Sequence, residues 1–276
     1  MSEVYIKRFT LLDRFFHFGL MVTFTIQGLT GFSRIFITTP WGERLAFAFG
    51  GYEGATIVHK WVGILMIIGF VFHTIHMLIR IRWSSLRHSL FGPDSLIPVW
   101  QDFRDLGKRI LWFFGLSQKP RHRRWTYWEK FDYWAVYWGL PLLALTGLVL
   151  MYPIAFSRVL PGWALNIAAL LHQAEAVLAV VYIGIIHFYM GHFRPANFPL
   201  NGVMFSGGVP YHEAEQEWPE WVDRLQQEQK LAEKSTAAPG RGLRIASYLF
   251  GYLIVICGLL LVIAILGQGY GILAVH

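Results

Sequence analysis

The stretch LHQAEAVLAVVYIGIIHFYMGHF, residues 171–193, decides how this chain is read. It is long and apolar enough to cross a bilayer, which takes about 20 mostly apolar residues. It carries no Lys or Arg and a single carboxylate, Glu175, yet it holds three imidazoles, His172, His187 and His192. Ionisable groups inside a span are rare and usually functional. On a regular helix His172 and His187 differ by about 60° and lie roughly 22 Å apart along the axis. One face of one membrane rod then presents two nitrogen ligands at two depths. His192 falls about 140° from His187 on the same wheel and is set aside.

Working outward, five spans are expected: Phe15–Ile37, Ala55–Ile79, Phe131–Phe156, Ala168–Phe193 and Ile245–Leu266. The whole chain agrees with them. Of 276 residues 55% are hydrophobic and only 15% are charged, and the mean hydropathy is +0.42. A soluble domain carries about 25% charged residues, so a soluble globular enzyme is excluded. The N-terminal apolar stretch is too long for a cleaved signal peptide and lacks a small-residue cleavage site. The single cysteine, Cys257, excludes an intrachain disulfide framework, a Cys-ligated iron–sulfur cluster and C-x-x-C-H haem attachment. No internal repeat is read from the sequence.

The formal charge of +7 is explained by where the cations lie. Lys7, Arg8 and Arg14 precede the first span. Eleven Lys and Arg residues, among them Arg121, Arg123, Arg124 and Lys130, lie between the second and third. Six more lie between Arg194 and Arg244. The other connections are poor in cations. The positive-inside rule then places the N-terminus in the cytoplasm and the C-terminus outside. Nucleic acid is not a partner; lipid is. Pro98–Leu116 has an apolar face opposite Arg and Lys and reads as an interfacial helix, about 97–116. Glu213–Lys234 reads as a cytoplasmic helix, and 235–240 as a linker. The domains are thus 1–210, 211–243 and 244–276.

His59 and His73 in the second span are fourteen residues apart, about 40° from alignment and roughly 21 Å apart. Two helices with such pairs could ligate two stacked b haems, since low-spin haem b takes two axial ligands and neutral imidazole supplies both. Gly28, Gly31, Gly63 and Ala176 leave room for a macrocycle. His17 sits near the cytoplasmic end of the first span. His76 points about 100° away from His59, and His88, His122, His212 and His276 read as surface residues. The fold class is an all-α transmembrane bundle: a four-helix haem-binding core plus a fifth C-terminal helix.

Several motifs carry a resemblance: R-F-F-H-F-G (14–19) with T-G (30–31), V-H-K-W-V-G (58–63), Y-W-E-K-F-D-Y-W (127–134), L-P-G-W-A-L-N (160–166), L-H-Q-A-E-A-V-L-A (171–179) and H-F-Y-M-G-H-F-R-P-A-N-F-P (187–199). Across residues 10–210 the chain resembles the di-haem cytochrome b subunits of formate dehydrogenases, thiosulfate reductases and related respiratory complexes. It looks closest to the branch associated with multihaem c-type cytochromes. The resemblance implies an outer haem between His59 and His172 and an inner haem between His187 and His17. His73, at the same depth, is an alternative inner ligand.

The resemblance further implies a quinone, menaquinone or ubiquinone, near the start of the third span. Thr126 and Trp128 stand there where the formate dehydrogenase type has Asn and Gly. Glu175 is a second candidate, as a buried carboxylate able to take a quinol proton. It implies a partner subunit carrying iron–sulfur clusters, molybdopterin or multihaem cytochrome c, in a bacterial or archaeal cytoplasmic membrane. Such a chain is not catalytic alone. Two other classes remain in view, a proton-coupled transporter using the histidines and Glu175 as a relay, and a haem-free membrane anchor.

Overall fold

Thr10 and Asp13 start the first long helix by exchanging bonds. The Thr10 backbone N–H donates to the Asp13 carboxylate (2.9 Å) and the Asp13 N–H to the Thr10 hydroxyl (3.2 Å). This is a capping box that satisfies two orphan N–H groups. Thr126 and Glu129 repeat it at the third span, at 2.9 and 3.1 Å. The computed structural model describes residues 4–268. In chain order its main elements are β1 (Tyr5–Lys7), α1 (Leu11–Ile35), α2 (Gly51–Ile79), α3 (Trp100–Phe113), α4 (Tyr127–Met151) and α5 (Gly162–Phe193). There follow β2 (Gly208–Pro210), α6 (Tyr211–Glu217), α7 (Pro219–Gln227), β3 (Ser235–Thr236) and α8 (Arg241–Gly267). Helices α1, α2, α4, α5 and α8 are long and apolar enough to cross a membrane.

Two compact units divide the chain. One comprises residues 15–73, 138–201 and 246–268 of the described chain. Its core is Phe32 of α1, Phe36 just after that helix, Val180 of α5 and Leu261, Val262 and Ile265 of α8. Close approach is bought by small residues, as is usual between membrane helices. Gly184 lies under Val262, and Gly258 under the ring of Phe188. The outward face of α2 is apolar: Ile57, Trp61, Leu65, Ile68, Phe72 and Ile75 are all exposed. That stripe follows the helical period and suits lipid contact.

The other unit comprises residues 4–14, 74–137 and 202–245 of the described chain. Its core is Ile6, Val209, Trp218, Trp221, Val222 and Leu225. A small antiparallel sheet in the order β2-β1-β3, with Ile6 opposite Val209 and Ser235, adds strands to an otherwise helical chain. The stretch 213–234, expected as one helix, is broken at Pro219. Trp218, the residue before it, takes φ −130° and ψ 56°, because a following proline disfavours the helical region. On α3, Phe103, Leu106, Ile110 and Phe113 face outward, whereas Asp102 and Asp105 are buried. Lys130 closes on Asp102 at 2.8 Å. His122 is buried with its Nδ1 3.8 Å from Asp105, which corrects its reading as a surface residue. His88 and His212 are exposed, and His276 lies outside the described residues.

Candidate functional site

His59 of α2 and His172 of α5 face one another, with ring centroids 6.2 Å apart and planes at 79°. Each ring is held the same way. Thr30 Oγ1 lies 3.0 Å from His59 Nδ1. The same hydroxyl donates to the Ile26 carbonyl, one turn back on α1, at 2.6 Å. Thr146 Oγ1 lies 3.0 Å from His172 Nδ1 and donates to the Leu142 carbonyl at 2.7 Å. Gly31 and Gly147 follow the two threonines. A Cβ on Gly31 would meet His59 Cε1 at 3.1 Å, and one on Gly147 would meet His172 Cε1 at 3.2 Å. Gln27 Nε2 donates to the His59 carbonyl at 2.7 Å and lies where a Cβ on Gly63 would reach it at 3.1 Å.

This donor set fits a bis-imidazole haem. Both Nδ1 atoms lie beside a threonine hydroxyl, which leaves Nε2 of each ring free to bind an iron. His59 and His172 would hold the haem between them, and the haem would supply one-electron redox chemistry.

His17 and His73 are half-buried in the same unit. His73 meets the ring of Phe16, the neighbour of His17 in sequence, at 5.0 Å and 69°. His187 belongs to a stretch of α5 that is wound as a π-helix, Tyr182–His187 and then Tyr189–Phe193. Each π turn takes one residue more than an α turn. The wheel that set His192 aside assumed a regular helix. In the structure the His187 and His192 rings are 6.5 Å apart at 85°, so His192 borders His187 after all. Single-turn π segments recur at functional positions.

Thr126 is buried as the cap of α4, with its hydroxyl within 3.1 Å of the Glu129 carboxylate. Trp128 Nε1 is buried and has no hydrogen-bond partner among the described residues. Glu129 joins Arg8 at 2.7 Å and Trp218 Nε1 at 3.1 Å. Arg8 is fully buried, its guanidinium 3.3 Å over the Trp218 ring. Burial lowers its pKa to about 10, with Glu129 opposing the shift. Burial likewise lowers Arg124. Arg121 pairs with Asp223 (2.6 Å) and Arg123 with Glu220 (3.7 Å). In the other unit, buried Glu175 presses a carboxylate oxygen to within 2.6 Å of where a Gly139 Cβ would stand.

These pairs expose an internal repeat, which corrects the reading that none is present. R-F-T-L-L-D-R-F (8–15) recurs as R-W-T-Y-W-E-K-F (124–131), and L-T-G (29–31) recurs as L-T-G (145–147), both at an offset of 116. Arg8 donates to the Arg124 carbonyl and Arg124 to the Arg8 carbonyl, both at 2.8 Å. Such reciprocity is what a two-fold relation produces. The signal lies in polar residues too sparse to stand out against hydrophobic helices of similar composition.

Comparison with known proteins adds the lineage. Residues 8–207 match the family described as prokaryotic cytochrome b561. The cytochrome b556(Fdn) subunit of nitrate-inducible formate dehydrogenase from Escherichia coli K12 is 23% identical over 226 residues, covering 80% of this chain and 92% of that one. The corresponding subunits of Escherichia coli O157:H7 and Shigella flexneri match to the same extent. The paired histidines, the five candidate spans and a match over most of the chain therefore agree. The chain belongs to the prokaryotic cytochrome b561 family, as a multi-pass membrane haem b electron-transfer subunit of the formate dehydrogenase type.

Proposed function

We propose that the chain holds two b haems across the cytoplasmic membrane and passes electrons between a quinone pool and a partner redox subunit. The observation that carries this is the His59–His172 pair, with ring centroids 6.2 Å apart and Nδ1 of each ring beside a threonine hydroxyl. Haem b, when bound, supplies reversible one-electron chemistry. The chain contributes ligands, burial and orientation. His187 is the first ligand of the inner haem, and His17 on α1 is the second. A specific feature favours His73 as the alternative. His73 follows His59 by fourteen residues and His187 follows His172 by fifteen. The π turns before His187 absorb the extra residue. His73 thus stands to His59 nearly as His187 stands to His172.

For the quinone, menaquinone or ubiquinone, the buried Trp128 N–H is an available donor to a carbonyl oxygen. Thr126 shapes that stretch through its cap, and Glu175 is the base able to take a quinol proton at the other candidate position. The partner would carry iron–sulfur clusters, molybdopterin or c haems. The likeness to a formate dehydrogenase cytochrome subunit supports such an assembly. The N-terminus is cytoplasmic and the C-terminus outside.

Haem titration as the pyridine haemochrome tests this directly. About two haems per chain are expected, with His59→Ala, His172→Ala and His187→Ala each removing one. Variants of His59 and His172 that keep both haems would sink the ligand assignment, and a haem-free preparation from porphyrin-replete cells would sink the function. His17→Ala and His73→Ala, made singly, identify the remaining ligand.

A further inference from the structure

We infer that Thr30 and Thr146 are positioning residues that fix the tautomer and the donor strength of the outer haem ligands. The inference rests on the proposed ligation by His59 and His172. A threonine hydroxyl has one proton. In both cases that proton is directed to a helix carbonyl, at 2.6 Å for Thr30 to Ile26 and 2.7 Å for Thr146 to Leu142. Bonding back to the carbonyl four residues earlier is the habit of threonine inside a helix. The oxygen therefore meets the imidazole 3.0 Å away with lone pairs only. A bare Nδ1 there would set lone pair against lone pair, so Nδ1 carries the hydrogen and donates it. Nε2 is left with its lone pair free, as an iron ligand must be.

Each ring thus gives its N–H to an oxygen whose own proton is already spent on the backbone. Such a partner fixes ring orientation and raises ligand basicity. A more basic imidazole stabilises ferric over ferrous iron and lowers the potential. Both threonines are buried, so water does not substitute for them. The arrangement occurs twice, in the two L-T-G copies of the repeat, on two different helices and two different histidines. In each copy the following glycine leaves the ring edge uncrowded.

The test compares Thr30→Val and Thr146→Val with Thr30→Ser and Thr146→Ser in the full-length, haem-loaded protein, read by redox titration. Valine keeps the volume and removes the acceptor. The expected result is two haems per chain and an outer haem about tenfold easier to reduce at a given ambient potential, a rise of about 59 mV for a one-electron couple. Serine should return the potential to that of the unmodified protein. Should valine eject the outer haem while serine retains it, the hydroxyl is again shown to be required. A valine variant with both haems and an unmoved potential overturns the inference. So does a serine variant that behaves like valine, because then packing and not the hydroxyl is responsible. Failure of the underlying ligation looks different, since His59→Ala and His172→Ala would then leave the outer haem bound.

Discussion

Gly31 and Gly147 show how a single hydrogen in place of a methyl sets the outer histidines. Alanine at either place would stand 3.1 or 3.2 Å from an imidazole carbon, and overpacking of this kind costs about 1–3 kcal/mol. Gly31→Ala and Gly147→Ala should each diminish the α-band of the proposed outer haem while that of the proposed inner haem persists, as reduced-minus-oxidised spectra would record. Arg8 is the other residue on which much depends. Held between Glu129 and the face of Trp218, it stays cationic at neutral pH, since its pKa of about 10 is still well above it. Arg8→Met should lower stability by about 3 kcal/mol or more, the cost of breaking a buried pair. Thermal unfolding of the purified chain measures it. The pH sign follows from the lowered pKa. From about pH 10 upward the unfolded chain still holds the proton that the folded one loses, so this group makes stability rise with pH there and contributes no slope from pH 6 to 9.

At the scale of elements, α8 and α5 meet through missing side chains. A Cβ on Gly184 would fall 2.4 Å from Val262 Cγ2, and one on Gly258 would fall 2.7 Å from the Phe188 ring. Neither neighbour is a flexible chain end. Gly184→Ala and Gly258→Ala should each cost about 1–3 kcal/mol, read as a lower unfolding midpoint in a denaturing-detergent titration. Gly139→Ala is the contrast. There the neighbour is the Glu175 carboxylate, which can swing aside, so the midpoint should hardly move. The π-wound end of α5 is the element that a helical wheel could not foresee. Winding depends on side-chain packing and carbonyl partners, neither of which periodicity records.

For the whole molecule, the cations that gave the topology also build structure. Arg121 and Arg123 reach Asp223 and Glu220, and Arg224 pairs with Asp94. The exposed pair Arg121–Asp223 contributes little, about 0–1 kcal/mol. Orientation is testable on the stretch from Lys230 to Arg244. Trypsin should cut there in inside-out vesicles and leave it intact in right-side-out ones; the reverse pattern would invert the topology.

Sequence alone determined the spans, because about 20 apolar residues and a stripe of histidines are properties of composition and spacing. The resemblance to di-haem cytochromes b paired His59 with His172, and both sit near the same end of their helices. Only tertiary structure decided what holds those rings. Thr30 and Thr146 lie 29 and 26 residues from the histidines they touch, and no local rule joins positions so far apart. The same holds for His122, which polarity assigned to the surface and Asp105 of α3 drew inside. Helix periodicity reports which face is apolar; which neighbour covers that face is settled by packing, and the hydrogen bonds that tune a ligand are made there.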